Sequence, residues 1–256
     1  MIRWAYGVTT VPSRLETTLP RSLESLANAG FDSPRLFIDG AQDDAAYRHL
    51  GFSTTCRYPA LRTAHNWTAS LYELYLREPD AERFAIFQDD VVLSRNVKQY
   101  LDKYTYGRYN EPCYWNLHSF PCNEELRPAG LERGFYESNQ LGKSALALVF
   151  SRDAVVKLLA NEYTIMRPQD LNKGYQSVDG GIVSALKNVG YKERVHWPSL
   201  TQHIGQVSSM GHPEYPQSQS FRGEDFDCME LLKCSEPESN QPSKELVSQI
   251  HGLVAG

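Results

Sequence analysis

The sequence lacks the features that would assign it to a simple structural class. Its 256 residues include five cysteines and no C-x-x-C pair, which disfavours a disulfide framework or a zinc site and is typical of free thiols in a reducing compartment. Positive charge is not in excess, because the formal net charge of −5 gives no global attraction to nucleic acid or anionic membranes. With 41% apolar and 22% charged residues, an ordinary globular protein is expected.

Long apolar segments are also missing. No apolar run approaches the length needed to cross a membrane. The first ten residues, MIRWAYGVTT, do not combine a charged region with a long apolar stretch, as a secretion signal would. We therefore expect no membrane span and a cytoplasmic location.

The length predicts one sizeable α/β domain with a short C-terminal tail. We expect the domain to occupy residues 1–233. The remaining residues, 234–256, begin with the linker-like sequence CSEPESNQPSK and end in a small helix or loose tail. The sequence does not predict an oligomeric state.

Strands and helices alternate in the first part of the sequence. The predicted strands are 3–11, 35–40, 52–58 and 83–93, and the predicted helices are 19–30 and 63–78. This alternation predicts a mostly parallel, Rossmann-like sheet with helices on both faces. Ligands of such sheets bind beyond the carboxyl ends of the strands, which is where Thr9, Thr10, Asp39, Asp89 and Asp90 are expected.

The second part is less regular. The predicted elements are helices at 97–104, 152–162 and 179–190, strands at 113–120 and 144–151, and a short strand and loop at 193–205. A polar loop extends from the strand at 113–120 to about residue 142. Asp179 is expected to be the N-cap of the last helix and Gly190 to end it.

The segment FAIFQDDVVLS, residues 84–94, raises the main functional question. It places two adjacent carboxylates, Asp89 and Asp90, at the end of an apolar strand that is expected to be buried. Burying an unpaired carboxylate is costly, so these groups need a cation or access to water at the sheet edge. The alternative is a surface turn with two solvated carboxylates.

Several short motifs occur in an order that carries a family resemblance. A first strand ends in TTVPSR and a second in FIDG, QDD follows the buried fourth strand, and VDGG and PSLTQHIG come later. Over about residues 3–212 this order resembles the GT-A-fold glycosyltransferases. The resemblance implies a nucleotide-binding half at about 1–110, an acceptor-binding half at about 111–233, a UDP-sugar donor, and Mn²⁺ or Mg²⁺ as the cofactor.

The resemblance implies that the carboxylate pair binds the metal. Asp90 matches the last acid of the family's D-x-D motif and is the expected ligand, while Asp89 is a ligand or a ribose contact. Gln88 departs from the pattern, since an acid often stands there. His203 resembles the C-terminal histidine that completes the metal site, although a lone histidine is more often structural.

The expected nucleotide contacts lie at predicted strand ends and helix starts. Besides Asp89, they are Thr9, Thr10, Pro12, Arg14, Asp39 and Arg62. Asp39 is expected to accept from a uracil N–H, and Arg14 to lie against the base or a phosphate. The alternative is ordinary loop punctuation, because Asp39 and Gly40 also form a good turn.

Asp179 is the candidate catalytic base. In an inverting transferase, a carboxylate must deprotonate the acceptor hydroxyl on the face opposite the leaving group. Enzymes of the family that the sequence resembles carry that base in this region. The base role and the predicted N-cap role are compatible.

The acceptor and the reaction type leave alternatives open. The acceptor is predicted to be a cell-envelope saccharide or a hydroxymethylated base in DNA, held between the 120–142 and 206–225 segments. Two basic clusters could bind DNA phosphates, although both are also typical of a solvated face; they are Arg127/Arg133/Lys143 and Lys187/Lys192/Arg194. A sugar-nucleotide pyrophosphorylase is a further alternative. Such enzymes begin with a glycine-rich loop that binds phosphate, and VTTVPSR, which follows Gly7, contains no glycine, so this alternative is disfavoured.

Two further alternatives do not use the predicted transfer chemistry. A glycoside hydrolase is disfavoured because adjacent carboxylates diverge instead of flanking one bond. A non-catalytic module that binds a nucleotide or carbohydrate would bind the donor without releasing sugar.

Overall fold

The computed structural model describes residues 2–104, 111–165, 178–205 and 217–233. Its strands are β1 (Trp4–Thr10), β2 (Arg35–Asp39), β3 (Thr54–Arg57), β4 (Arg83–Gln88), β5 (Val91–Leu93), β6 (Cys113–Asn116), β7 (Gly134–Glu137), β8 (Ala147–Ser151), β9 (Lys192–Trp197) and β10 (Thr201–His203). Its α-helices are α1 (Leu19–Asn28), α2 (Arg62–Arg77), α3 (Val97–Tyr104), α4 (Pro121–Glu124), α5 (Arg152–Leu159), α6 (Glu162–Ile165) and α7 (Val178–Lys187). Short 3-10 helices cover Pro12–Arg14, Ala45–Leu50 and Cys228–Leu232.

The main sheet of the described ranges has eight strands in the order β3-β2-β1-β4-β8-β6-β9-β7. The strands β3, β2, β1 and β4 are parallel, and so are β6 and β9, while β8 and β7 run antiparallel to their neighbours. The predicted α/β architecture with a mostly parallel sheet is therefore confirmed. Because parallel strands end at one edge, the ends of β1, β2 and β4 lie side by side.

Helices cover both faces of this sheet, as predicted. Along β4, Phe84 and Ile86 pack with α2, α5 and α7 on one face, whereas Ala85 and Phe87 pack with α1 and α3 on the other. Successive side chains of a strand point to opposite faces, so a strand covered on both sides reads as a continuous apolar run. Burying each of these phenylalanines stabilises the fold by about 1.5–3 kcal/mol.

The predicted strand at 83–93 is wrong as a single element. The chain leaves the main sheet after Gln88, turns at Asp89 and Asp90, and continues as β5, which pairs antiparallel with β10 in a separate two-stranded sheet. The Ser22 hydroxyl of α1 holds the turn, donating to the Asp89 carbonyl (3.0 Å) and accepting from the Val91 amide (3.1 Å). Two adjacent carboxylates cannot continue a strand buried on both faces, so the chain breaks there.

The predicted loop before residue 142 contains regular structure. Helix α4 begins at Pro121, which suits the first turn of a helix because proline has no amide to leave unbonded. Strand β7 pairs with β9 at the sheet edge. Helix α7 begins at Val178, so Asp179 lies in its first turn and not at the expected N-cap.

In the ranges that the structure describes, no helix combines the length and apolar character needed to cross a lipid bilayer. The predicted tail at 234–256 and residues 206–216 of the predicted acceptor cleft lie outside those ranges.

Candidate active site

The Asp89–Asp90 turn lies at the carboxyl edge of β4, and its two side chains point in different directions. Asp89 turns toward β1, where its Oδ2 accepts a 2.6 Å hydrogen bond from the Thr10 hydroxyl. Burial and the negative charge of Asp90 raise the pKa of Asp89 to about 7, although Thr10 and Arg14 act in the opposite direction. Asp89 is therefore tied into the fold at the end of β1.

Asp90 has the cationic and polar neighbours that its burial requires. Its Oδ2 lies 3.1 Å from His203 Nε2 and 3.6 Å from Arg14 Nη2. The pairing of β5 with β10 sets this geometry, because Val91 faces His203 and the Ile204 amide donates to the Asp90 carbonyl (2.8 Å). Its other oxygen, Oδ1, is buried and has no hydrogen-bond partner among the described residues.

Gly205 packs closely against these side chains. A Cβ atom at this position would lie 2.9 Å from Asp90 Oδ2 and 2.9 Å from both Cε1 and Nε2 of His203. Such distances are below those of normal contacts, so only glycine fits without displacing the two side chains. The sequence prediction missed this residue, although its position two residues after a predicted ligand was a usable signal.

The residues around Asp90 fit a divalent cation that is also held by phosphate. In the described part of the chain, no group of three or more His, Cys, Asp or Glu side chains is arranged to bind a metal. Asp90 and His203 could supply a carboxylate oxygen and an imidazole nitrogen, a pair that suits Mn²⁺. The unpartnered Asp90 Oδ1 suits such an ion, and the missing side chain of Gly205 lets Asp90 and His203 lie close together beside the backbone.

Asp39 and Arg62 meet where β2 ends and α2 begins. Both carboxylate oxygens of Asp39 accept backbone amides at 2.7 Å, Oδ1 from Leu61 and Oδ2 from Arg62. Arg62 has a φ of +64°, which is unfavourable for arginine and is held by these bonds. The exposed Arg62 side chain lies at the sheet edge. The predicted uracil contact of Asp39 stays a prediction.

The other predicted nucleotide residues follow β1. Thr9 donates to the Phe87 carbonyl (3.3 Å), which links the ends of β1 and β4. Pro12 begins the 3-10 helix and Arg14 ends it, which directs Arg14 toward Asp90. The structure therefore brings Thr10, Arg14 and both turn carboxylates together, while Pro12 is exposed at the rim.

Asp179 is connected to the carboxylate turn through the loop that precedes β8. Its Oδ2 accepts the Ser144 amide (2.7 Å), and its Oδ1 accepts the Gly180 amide (2.9 Å). Gln88 holds the same loop, since its amide donates to the Leu146 carbonyl (2.9 Å) and its side chain to the Ala145 carbonyl (3.3 Å). Gln88, which departs from the D-x-D pattern, therefore stabilises the loop that contacts Asp179.

The aromatic residues that flank the 120–142 segment are buried, and so are His118 and His196. Tyr114, Trp115, Phe135 and Tyr136 lie in the core with at most 6% exposure, so they cannot stack on a ligand in this conformation. Burial lowers the pKa of His196 to about 4, and its ring lies between the Tyr100 hydroxyl (2.7 Å) and the Pro198 carbonyl (2.6 Å). Burial also lowers the pKa of His118 to about 3.

Comparison with known proteins identifies the fold class. No protein-family profile and no curated protein matches the sequence. The solved structure of GalNAc-T7 with UDP, GalNAc and Mn²⁺ matches with a TM-score of 0.54 and 10% identity, over 81% of this chain and 45% of that chain. The chain therefore has the GT-A fold, as the resemblance implied, and it spans less than half the length of GalNAc-T7.

Two other solved structures match with lower scores. Mannose-1-phosphate geranyltransferase from Thermus thermophilus has a TM-score of 0.47 and 15% identity, over 75% of this chain and 73% of that chain. CMP:2-keto-3-deoxy-manno-octonic acid synthetase complexed with CTP has a TM-score of 0.43 and 12% identity, over 75% and 88%.

Proposed function

We propose that this protein is a metal-dependent glycosyltransferase that moves a sugar from a UDP-sugar to an acceptor hydroxyl with inversion at the anomeric carbon. The observation that carries the proposal is the surroundings of Asp90. This buried carboxylate lies between His203 and Arg14, keeps one oxygen unpartnered within the described residues, and packs against Gly205, where a side chain would displace it. A site with that chemistry suits a divalent cation bound to a nucleotide diphosphate.

The metal and the donor have separate sets of candidate residues. Asp90 and His203 would hold Mn²⁺ or Mg²⁺, which when bound neutralises the negative charge that develops on the diphosphate. Arg14 would bind a phosphate oxygen as a second cation. GalNAc-T7 shares the fold and was crystallised with UDP and Mn²⁺, which supports this ligand class by analogy.

The candidate nucleotide contacts remain at the carboxyl edge of the sheet. Thr9, Thr10, Pro12, Asp39 and Asp89 line the ends of β1, β2 and β4 or the loop that follows β1, and Arg62 begins α2 nearby. A carboxylate oxygen has two lone pairs, so Asp39 could accept from a base N–H while capping α2. Asp89 would orient the ribose.

Asp179 would act as the general base. The acceptor oxygen bonds to the anomeric carbon of the sugar, and the proton of the acceptor hydroxyl passes to a carboxylate oxygen of Asp179. The bond from the anomeric carbon to the phosphate oxygen breaks, and its electron pair leaves with UDP. A carboxylate oxygen has two lone pairs, so accepting a backbone amide does not prevent Asp179 from accepting a proton. The two backbone amides hold the carboxylate in one orientation.

The acceptor is a saccharide or a hydroxymethylated base in DNA, and the described residues favour the saccharide. In the second predicted basic cluster, Lys192 pairs with Glu137 (2.8 Å) and Arg194 with Glu111 (3.1 Å). In the first cluster, Arg127 stacks on a tryptophan ring, 4.5 Å from its centroid. These cations already have neighbours that compete with a phosphate backbone.

A screen of nucleotide sugars with Mn²⁺ tests the proposal. We expect nucleotide release from one UDP-sugar that increases with the correct acceptor and stops in EDTA or in the Asp90→Ala variant. Donor binding without any sugar release would indicate a binding module. Formation of a nucleotide sugar from a nucleoside triphosphate and a sugar 1-phosphate would indicate a pyrophosphorylase.

The DNA alternative has its own test. If hydroxymethylated DNA is the acceptor, binding to that DNA should weaken steeply between 50 and 200 mM salt, by about 10³-fold or more for a protein that makes several phosphate contacts. A flat salt response would remove this alternative.

A further inference from the structure

The loop between β7 and β8 has an unusual backbone where it approaches Asp179. Gln140 and Ser144 have φ angles of +55° and +79°, a left-handed region that side chains other than glycine rarely adopt. Gly142, at +66°, packs so closely on the backbone of Asp179 and Gly180 that a Cβ atom would lie 2.5 Å from the Asp179 carbonyl oxygen. Such a loop keeps its shape only where its surroundings hold it.

Ser144 connects this loop to the candidate base through its two backbone groups. Its amide donates to Asp179 Oδ2 at 2.7 Å, and its carbonyl accepts from Asn116 Nδ2 at 2.8 Å. The same residue thus bonds Asp179 on one side and Asn116 on the other. A change at Asn116 would therefore reach Asp179 through one residue of the loop.

Asn116 is fixed in a single orientation at the end of β6. It has no solvent exposure, and its Oδ1 accepts the His118 amide (3.1 Å). Its Nδ2 faces three acceptors, the Lys143 carbonyl (3.2 Å), the Ser144 carbonyl and Glu193 Oε1 (3.1 Å). Because an amide nitrogen only donates and an amide oxygen only accepts, the partners define which atom is which.

Glu193 anchors the beginning of the same loop. Its Oε2 accepts from the Ser138 hydroxyl (2.6 Å), and its backbone exchanges two hydrogen bonds with the Gln140 side chain at 2.8 and 3.0 Å. The carboxylate is 1% exposed, and burial raises its pKa to about 7. Sequence patterns did not indicate this residue, which lies inside a strand.

We propose that Asn116 is a positioning residue for Asp179, and that it acts by holding Ser144 in its left-handed conformation. This inference rests on the proposed function, since it assumes that Asp179 is the base. Without the Asn116 donor, Ser144 would relax toward the negative φ that serine prefers, and its amide would turn away from Asp179. The candidate donor and metal residues lie on other segments, namely β1, β2, the start of α2, the Asp89–Asp90 turn and β10. Gln88 holds Ala145 and Leu146 independently of Asn116, so the end of the loop next to that turn should stay in place.

The Asn116→Asp substitution tests this inference, because it keeps the shape of the side chain and leaves at most one proton to donate, for which Glu193 Oε1 competes with the Ser144 carbonyl. We expect kcat for transfer to fall about 100-fold, as for a misplaced catalytic group, while KM for the donor and the affinity for UDP with Mn²⁺ stay unchanged. Hydrogen exchange at the Ser144 amide should become faster. The Asn116→Ala variant, which has no side-chain donor, gives the same test if the new carboxyl group prevents folding or keeps a proton that bonds Ser144.

Asn161→Asp is the matched control. Asn161 also donates its side-chain amide to a backbone carbonyl of α7, that of Ala185 at 3.1 Å, but at the opposite end of this helix from Asp179. The control should retain the normal kcat and normal exchange at Ser144. An equal loss of kcat in the control would show that any weakening of α7 impairs transfer, and would overturn the specific role of Asn116.

A double-mutant cycle separates this inference from the proposed function. If Asn116 acts through Asp179, the Asn116→Asp substitution should not lower the residual transfer rate of Asp179→Asn any further. A further loss, or normal transfer by Asn116→Asp when Asp179→Asn is inactive, would overturn the inference. Normal transfer by Asp179→Asn would instead refute the assignment of the base, and exchange at Ser144 would still report whether Asn116 holds that residue.

Discussion

The substitution Gly205→Ala examines the candidate metal site without changing its charge. The added Cβ would lie 2.9 Å from Asp90 Oδ2 and from two atoms of the His203 ring, whereas ordinary contacts begin at 3.4 Å. The two side chains must therefore separate from the new methyl group by about 0.5 Å. Metal–ligand distances in proteins hold to within about 0.2 Å, so this shift is more than a site tolerates.

The expected effect is on ligand affinity and not on folding. The crowded atoms are the ends of side chains, which can move, and Gly205 does not have a left-handed φ. We expect the affinity for Mn²⁺ in the presence of UDP to fall by about 10- to 100-fold, or about 1.4–2.8 kcal/mol, as when the supporting contacts of a metal site are removed. The free energy of unfolding should change by no more than about 1 kcal/mol, because the cost of crowding and the backbone gain of replacing glycine by alanine oppose each other.

Gly51→Ala is the complementary control. Gly51 has a φ of +74° and no atom within 4 Å of an added Cβ, so its substitution creates backbone strain without a contact. It should lower the free energy of unfolding by about 1 kcal/mol and leave the affinity for Mn²⁺ unchanged. Titration calorimetry and urea unfolding of both variants give the comparison. Normal Mn²⁺ and UDP binding by Gly205→Ala would refute the assignment of this site.

Three other substitutions probe the candidate base, the start of α2 and the buried Glu193. Asp179→Asn should leave donor binding intact and lower transfer by about 10²–10⁴-fold, measured as product formation with saturating donor, and a normal rate would contradict the base assignment. Asp39→Ala should leave two backbone amides at the start of α2 unbonded and lower the free energy of unfolding by about 1–3 kcal/mol in urea titrations. An unchanged free energy of unfolding would show that solvent replaces the carboxylate, and would contradict this prediction. Burial raises the pKa of Glu193 from its ordinary value of 4.5 to about 7 in the folded protein. The contribution of Glu193 to the free energy of unfolding is therefore fully present below pH 4.5, and about 3 kcal/mol of it is lost as the pH rises through 7. Glu193→Gln should therefore flatten the fall in stability between pH 5 and pH 8, and an unchanged slope in unfolding experiments would contradict the role of burial.

The fold was largely predictable because its signals are local. The leucines of α1 recur at helical spacing, and the runs that became β1, β2 and β4 are apolar enough for strands covered on both faces. The order of these elements predicted a parallel sheet, and the order of short motifs carried the resemblance to the GT-A fold. The position of Asp89 and Asp90 at the strand end was part of that prediction.

What the sequence could not predict depends on contacts between distant residues. Ser22, from another element, bonds both sides of the turn that follows Gln88, and no pattern near that turn indicates this contact. Gly205 matters only because β10 pairs with β5, and that pairing is not encoded in either short segment.

By itself, the sequence determined the alternation of strands and helices and the position of two carboxylates at the end of a buried strand, since hydrophobic periodicity and turn residues act over a few neighbours. Only the tertiary structure decided that Asp90 faces His203 and Arg14 while Asp89 turns to Thr10, and that Asn116 reaches Asp179 through Ser144. These contacts join residues many positions apart. Their geometry depends on how the helices and sheets pack together, which no local pattern specifies.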